Sequence, residues 1–189
     1  MKYLFKNAVE VSKRICGEFI KSGDIVADCT MGNGNDTAFL CDLVGNEGKV
    51  YAFDVQEQAI NNTKDRLEKL GFLDRAELIH DGHENINEYV QEKIKLAIFN
   101  LGYLPKGDHS ITTKSNTTIE AVSKCLNIIE ANGIIILVIY HGHEEGKKEK
   151  IELEKFVSTL NQKEYNVAQF RMMNQINNPP EVIFIEKIM

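Results

Sequence analysis

Paired cysteines, long apolar runs and a basic excess are what this sequence lacks. Its four cysteines, Cys16, Cys29, Cys41 and Cys125, are scattered without a C-x-x-C pair. That excludes a disulfide framework or zinc ribbon and leaves reduced, buried thiols as the expectation. No apolar run approaches the roughly 20 residues of a membrane span. The first residues lack the apolar segment and small-residue cleavage site of a signal peptide, so the chain reads as cytoplasmic, with no membrane partner. Only 3 prolines, no repeat and no low-complexity stretch interrupt the 189 residues, which read as one domain spanning 1–189. A net charge of −6 argues against indiscriminate nucleic-acid binding. The excess is uneven: residues 1–100 carry 12 Lys+Arg against 17 Asp+Glu, whereas the remainder is nearly balanced at 10 against 11.

What is present is a βαβ rhythm. Val9, Ile15 and Phe19, with Leu4 before them, give the opening segment near-helical spacing, closed by Lys21-Ser22-Gly23-Asp24. Strands are predicted at 25–29, 49–54, 76–80, 96–100, 133–140, 165–171 and 182–187, and helices at 36–44, 57–70, 115–130 and 146–161. The run Gly133–Tyr140 is too continuously apolar for a half-exposed strand and reads as a central parallel strand. No helix separates the last two strands, so they should pair as an antiparallel hairpin. The fold class expected is α/β: a seven-stranded, mostly parallel sheet with a C-terminal antiparallel β-hairpin and helices on both faces.

The most informative stretch is Asp28-Cys29-Thr30-Met31-Gly32-Asn33-Gly34-Asn35-Asp36-Thr37, between an apolar strand and a helix pattern. Strand, glycine turn and helix in that order form a nucleotide-binding element. About twenty residues on, a second strand ends in Asp54, whose carboxylate can accept both hydroxyls of a ribose. Nicotinamide fingerprints begin with glycine at the strand end. Here an acidic residue comes first, and Asp28-x-Thr30-x-Gly32-x-Gly34 resembles the Asp-x-Gly-x-Gly-x-Gly of class I S-adenosylmethionine (SAM) methyltransferases, with Thr30 replacing the first glycine. The element order with its closing hairpin is that of the same Rossmann-like class. The resemblance implies SAM as cofactor. It would be held by Asp28 near the methionine ammonium, by the backbone of Thr30, Met31, Gly32, Asn33, Gly34 and Asn35, by Asp54, Val55 and Gln56 at the ribose, by Asp81, Gly82 and His83 beside adenine, and by Asn100 and Leu101.

The fourth strand ends in Asn100-Leu101-Gly102-Tyr103-Leu104-Pro105, where amino-group methyltransferases place Asn-Pro-Pro-Tyr. Such an Asn accepts hydrogen bonds from the target amine, and the aromatic ring stacks on a planar substrate. Asn100, Tyr103, His141 and Asp36 are therefore the catalytic candidates. Pro105, Lys106, Asp108, His109, Thr112, Thr113, His141 and His143 join Tyr103 as the substrate-side candidates. Strand alternation would point His141 and His143 the same way, as a substrate-side pair able to take a proton from an amine. A metal site is not expected, because neither this pair nor His80 and His83 finds a third ligand at convincing spacing.

Three segments, Asp28–Thr37, 100–113 and Tyr140–Glu144, together resemble one small bacterial family labelled "putative rRNA methylase". Characterised members methylate the amine of 5-aminomethyl-(2-thio)uridine at the tRNA wobble position. The resemblance implies an RNA methyltransferase with a tRNA anticodon stem-loop as partner, docked near Lys106, Lys114, Lys147 and Lys148. The alternatives are an rRNA methyltransferase, a small-molecule amine N-methyltransferase or a noncatalytic SAM- or RNA-binding module. The oligomeric state stays open, a homodimer included.

Overall fold

The computed structural model describes residue 3, residues 5–102 and residues 112–189. Helix α1 (Ala8–Phe19) starts at Asn7, whose side chain accepts from the Glu10 N–H. Then follow β1 (Ile25–Asp28), α2 (Asn35–Val44), β2 (Lys49–Phe53), α3 (Glu57–Leu70) and β3 (Ala76–Ile79). The second half comprises α4 (Ile86–Tyr89), β4 (Ile94–Leu101), α5 (Ser115–Ile128), β5 (Ile129–Ile139), α6 (Glu144–Val157), β6 (Tyr165–Phe170) and β7 (Glu181–Lys187). One sheet takes all seven strands in the order β3-β2-β1-β4-β5-β7-β6. The first five are parallel, and β7 runs antiparallel to both β5 and β6.

Alternation along β5 explains the layering. Ile134, Ile136 and Val138 pack with Ala8 and Cys16 of α1, Leu40 and Val44 of α2 and Leu67 of α3. Ile135, Leu137 and Ile139 pack on the opposite side with Ile86 of α4, Val122 and Cys125 of α5 and Leu153 of α6. Both faces of the sheet are thereby covered, and all four cysteines are buried free thiols. Burying each such Leu or Ile fully contributes about 1.5–3 kcal/mol, so the strand is anchored from two sides.

Several boundaries differ from the sequence reading. β5 begins at Ile129 rather than 133: Ile94 pairs with Ile129, but Leu96 pairs with Ile134, and the extra residues form an irregularity in which Asn132 has φ 58°. Asn132-Gly133 looks like a helix-ending turn in sequence and is a bulge in the sheet. A short helical stretch, His83–Tyr89, was not anticipated; it places Ile86 in the core. Finally, β5 ends at Ile139, so residues 140–143 are not strand, and α6 starts at Glu144 instead of 146.

Because β1, β2, β4 and β5 are parallel, the segments after them gather at one edge of the sheet. The order reverses between β1 and β4, and ligands of open α/β sheets bind outside such a switch point.

Candidate active site

A cavity of about 1090 Å³ opens at that edge. Its floor is the glycine turn, and that turn is held from several sides. The Met31 N–H donates to Phe53 O (2.9 Å), the Gly34 N–H to Met31 O (2.8 Å), and Thr63 Oγ1 of α3 donates to Gly32 O (3.0 Å). Arg66 Nε donates to Asn33 O at 2.8 Å. Gly34 has φ 71°, and a Cβ there would meet Thr63 Cα at 2.9 Å, so only glycine permits the close approach of α3.

Asp54 follows β2. Its Oδ2 accepts from the Gly32 N–H and its Oδ1 from the Gln56 N–H, each at 3.0 Å. Burial raises its pKa, against the lowering effect of those two donors. Each carboxylate oxygen keeps a lone pair for a hydroxyl.

His83 is buried edge-on to Phe99, and its Nδ1 lies 2.9 Å from Cys29 O. A carbonyl only accepts, so Nδ1 carries the proton and Nε2 is an acceptor, buried with no protein partner among the described residues. Burial lowers the imidazole pKa and keeps it neutral. Beside it, Asp81 is fixed by the Gly82 N–H, Asn85 Nδ2 and the Tyr89 hydroxyl.

At the end of β4, Asn100 is held by both its backbone and its side chain. Its N–H donates to Thr30 Oγ1 (2.7 Å) and its Nδ2 to Asp36 Oδ2 (2.8 Å). Thr30, the departure from the glycine pattern, thus ties β4 to the turn. Asp36 Oδ1 lies 2.8 Å from Lys13 Nζ of α1. With Nδ2 committed to a carboxylate, Oδ1 of Asn100 is the end left to receive a donor.

Of the residues singled out in the sequence, Thr30, Met31, Gly32, Asn33, Asn35, Asp36, Asp54, Val55, Gln56, Asp81, Gly82, His83, Asn100, Thr112, Thr113 and His143 line this cavity. Asp28, Gly34, Leu101 and His141 do not. Asp28 is fully buried behind the turn, accepting from Thr37 Oγ1 (2.6 Å) and the Thr30 N–H (3.2 Å). Burial, then the charge of Asp36, pushes its pKa up to about 7. Asp28 thus braces the turn from behind. Leu101 is buried in the core.

The two histidines do not face the same way, because the strand has already ended. His141 Nε2 sits 3.3 Å from Glu181 Oε1, which also holds Lys150 at 2.7 Å. His143 caps α6, its Nδ1 accepting from the Gly146 N–H at 3.1 Å. Tyr103, Pro105, Lys106, Asp108 and His109 lie outside the described residues. The sequence reading gave no role to Val9 and Lys13 of α1, to Tyr140 and Gly142 after β5, or to Asn178 before β7, all of which line the cavity. Tyr140 and Gly142 lie in a quoted segment. Nothing in the pattern of α1 separates Lys13 from any solvated lysine.

The family described as "Putative rRNA methylase" matches residues 50–186. The chain belongs to that family. The crystal structure of a family-like protein of Clostridium thermocellum, described as a "putative rRNA-methylase", is 46% identical and superposes with a TM-score of 0.97, covering 98% of this chain and 100% of that one. A Streptococcus mutans methyltransferase homologue solved in complex with S-adenosylhomocysteine (SAH) is 42% identical, with a TM-score of 0.90 over 98% of this chain and all of its own. The Arabidopsis thaliana protein named tRNA (mnm(5)s(2)U34)-methyltransferase, chloroplastic, is 36% identical over 98% of this chain and 72% of its own length. The chain is a SAM-dependent methyltransferase of class I fold. The donor set fits the cofactor: a paired carboxylate with spare lone pairs at Asp54, a buried acceptor without a partner among the described residues at His83, and a turn that presents no side chain to a ligand at Gly32. No helix among the described residues is long and apolar enough to cross a membrane.

Proposed function

We propose that this enzyme N-methylates the 5-aminomethyl group of a wobble (2-thio)uridine in the anticodon stem-loop of tRNA. The observation that carries the reading is the Asp36–Asn100 hydrogen bond, which turns the carboxamide so that an acceptor oxygen awaits a donor such as an amine N–H. The name of the Arabidopsis relative supports the same substrate. SAM, when bound, supplies an electrophilic methyl group. The residues of the chain then have to position a neutral amine in line with it and exclude competing water, which is chiefly catalysis by proximity and orientation. Asn100 orients the amine, and Asp36 stands at hydrogen-bond distance behind Asn100 as a candidate for receiving the proton released from nitrogen. Thr112, Thr113 and Lys114 also line the cavity and offer polar groups to a nucleotide.

The test is incubation of the purified enzyme and SAM with tRNA carrying unmethylated 5-aminomethyl-uridine, followed by mass analysis of the nucleosides. Gain of one methyl on that nucleoside is expected. Transfer to rRNA alone, or to free alkyl amines but not tRNA, would replace this reading with one of its rivals.

A further inference from the structure

Lys13 sits on α1, apart from the glycine turn and the strand ends, yet it lines the cavity. Its Nζ is 2.8 Å from Asp36 Oδ1, while Asp36 Oδ2 accepts from Asn100 Nδ2 at 2.8 Å. The three residues come from α1, α2 and β4, so only the folded sheet edge joins them.

The two oxygens of Asp36 have different partners. Lys13 holds Oδ1, which leaves Oδ2 turned to Asn100 Nδ2. A carboxylate only accepts, so against it the amide has one orientation, Nδ2 inward and Oδ1 outward. Without the ion pair the Asp36 side chain is free to rotate away, and the Asn100 amide loses the partner that sets its orientation.

We propose that Lys13 is a positioning residue for methyl transfer: its ion pair fixes the Asp36 carboxylate, which in turn fixes the Asn100 carboxamide with Oδ1 toward the incoming amine. This rests on the aminomethyl substrate proposed above. Lys13 need not touch substrate or cofactor to act in this way.

Lys13→Met and Lys13→Arg are compared with the wild type in kcat and KM on aminomethyl-uridine tRNA, with SAH affinity measured by calorimetry. Lys13→Met is expected to lower kcat about ten-fold, with SAH affinity and tRNA KM changed by less than about two-fold, and Lys13→Arg should restore kcat. A rise in tRNA KM alone, a loss that Lys13→Arg does not restore, or an unchanged kcat would overturn the proposal. The second readout needs no substrate: the Asn100 side-chain amide resonances, assigned by their loss in Asn100→Asp, should move or broaden in Lys13→Met and return in Lys13→Arg. If the wild type methylates no such tRNA, the substrate reading fails, and these resonances still decide the role of Lys13. Identical resonances in the wild type and Lys13→Met would overturn it.

Discussion

The backbone N–H of Gly32 donates to Asp54 Oδ2 at 3.0 Å, so the residue expected to hold the ribose also holds the glycine turn. Asp54→Ala removes both duties. Loss of one charge-assisted acceptor costs about 1.5–3 kcal/mol, which predicts SAH binding weakened by roughly ten- to 150-fold. Calorimetry checks this. Unchanged affinity in a folded variant would confine Asp54 to bracing the turn.

Gly34 and Gly23 offer a controlled comparison of backbone and packing. Both have positive φ, 71° and 94°, but only Gly34 has a neighbour, Thr63, within reach of an added Cβ. Gly23→Ala should therefore cost about 1 kcal/mol from conformation alone. Gly34→Ala should cost at least about 2–3 kcal/mol, because α3 must also retreat. Urea midpoints at constant m-value measure both, and equal losses would mean that the Thr63 contact relaxes freely.

The strand–turn–helix core of the site was legible because its chemistry is local. Asp28–Thr37 and Asp54 are recognisable from spacing, since a glycine turn needs its glycines wherever the chain goes. What sequence could not show is tertiary. Lys13 reaches Asp36 only because α1 packs against β5 and β7. The His141/His143 expectation failed at one residue: alternation was extended past Ile139, where the strand stops and His143 becomes a helix cap. The complete burial of Asp28 could not be read from the motif, since burial is a property of the packed sheet. The bulge at Asn132 was invisible for the opposite reason, its Asn-Gly pair being a strong local turn signal that the sheet overrides.

Asp28 also predicts a pH dependence of stability. Its pKa is about 7 in the folded protein, raised by burial and Asp36, against roughly 3.9 in an unfolded chain. Between those values the native state holds a proton that the unfolded state has lost. Stability from this group is thus fully present below about pH 4, falls as pH rises through the window, and is lost above about pH 7. Asp28→Asn keeps an acceptor for the Thr30 N–H without a charge to bury, so its Tm should fall less than that of the wild type across the same range. Parallel Tm curves would mean that Asp28 is not protonated in the fold.

The Asn100 carboxamide predicts the sharpest kinetic effect. An alkyl ammonium has no lone pair, so methyl transfer should accelerate with pH as the substrate amine becomes neutral. With Nδ2 engaged by Asp36, the proposed substrate would meet Asn100 through Oδ1 as a neutral amine. Aiming the lone pair matters in the transition state more than in binding, so Asn100→Ala should lower kcat by about 10²-fold with SAH affinity nearly unchanged. Asn100→Asp should be at least as damaging, because it sets a second carboxylate against Asp36 where a donor now stands. The backbone N–H of Asn100 bonds Thr30 Oγ1 in either variant, so the strand end stays in place and the loss reads the side chain. Single-turnover rates on aminomethyl-uridine tRNA make the measurement independent of product release. Normal rates in Asn100→Ala would make the residue structural and move the search for the amine's partner elsewhere in the cavity.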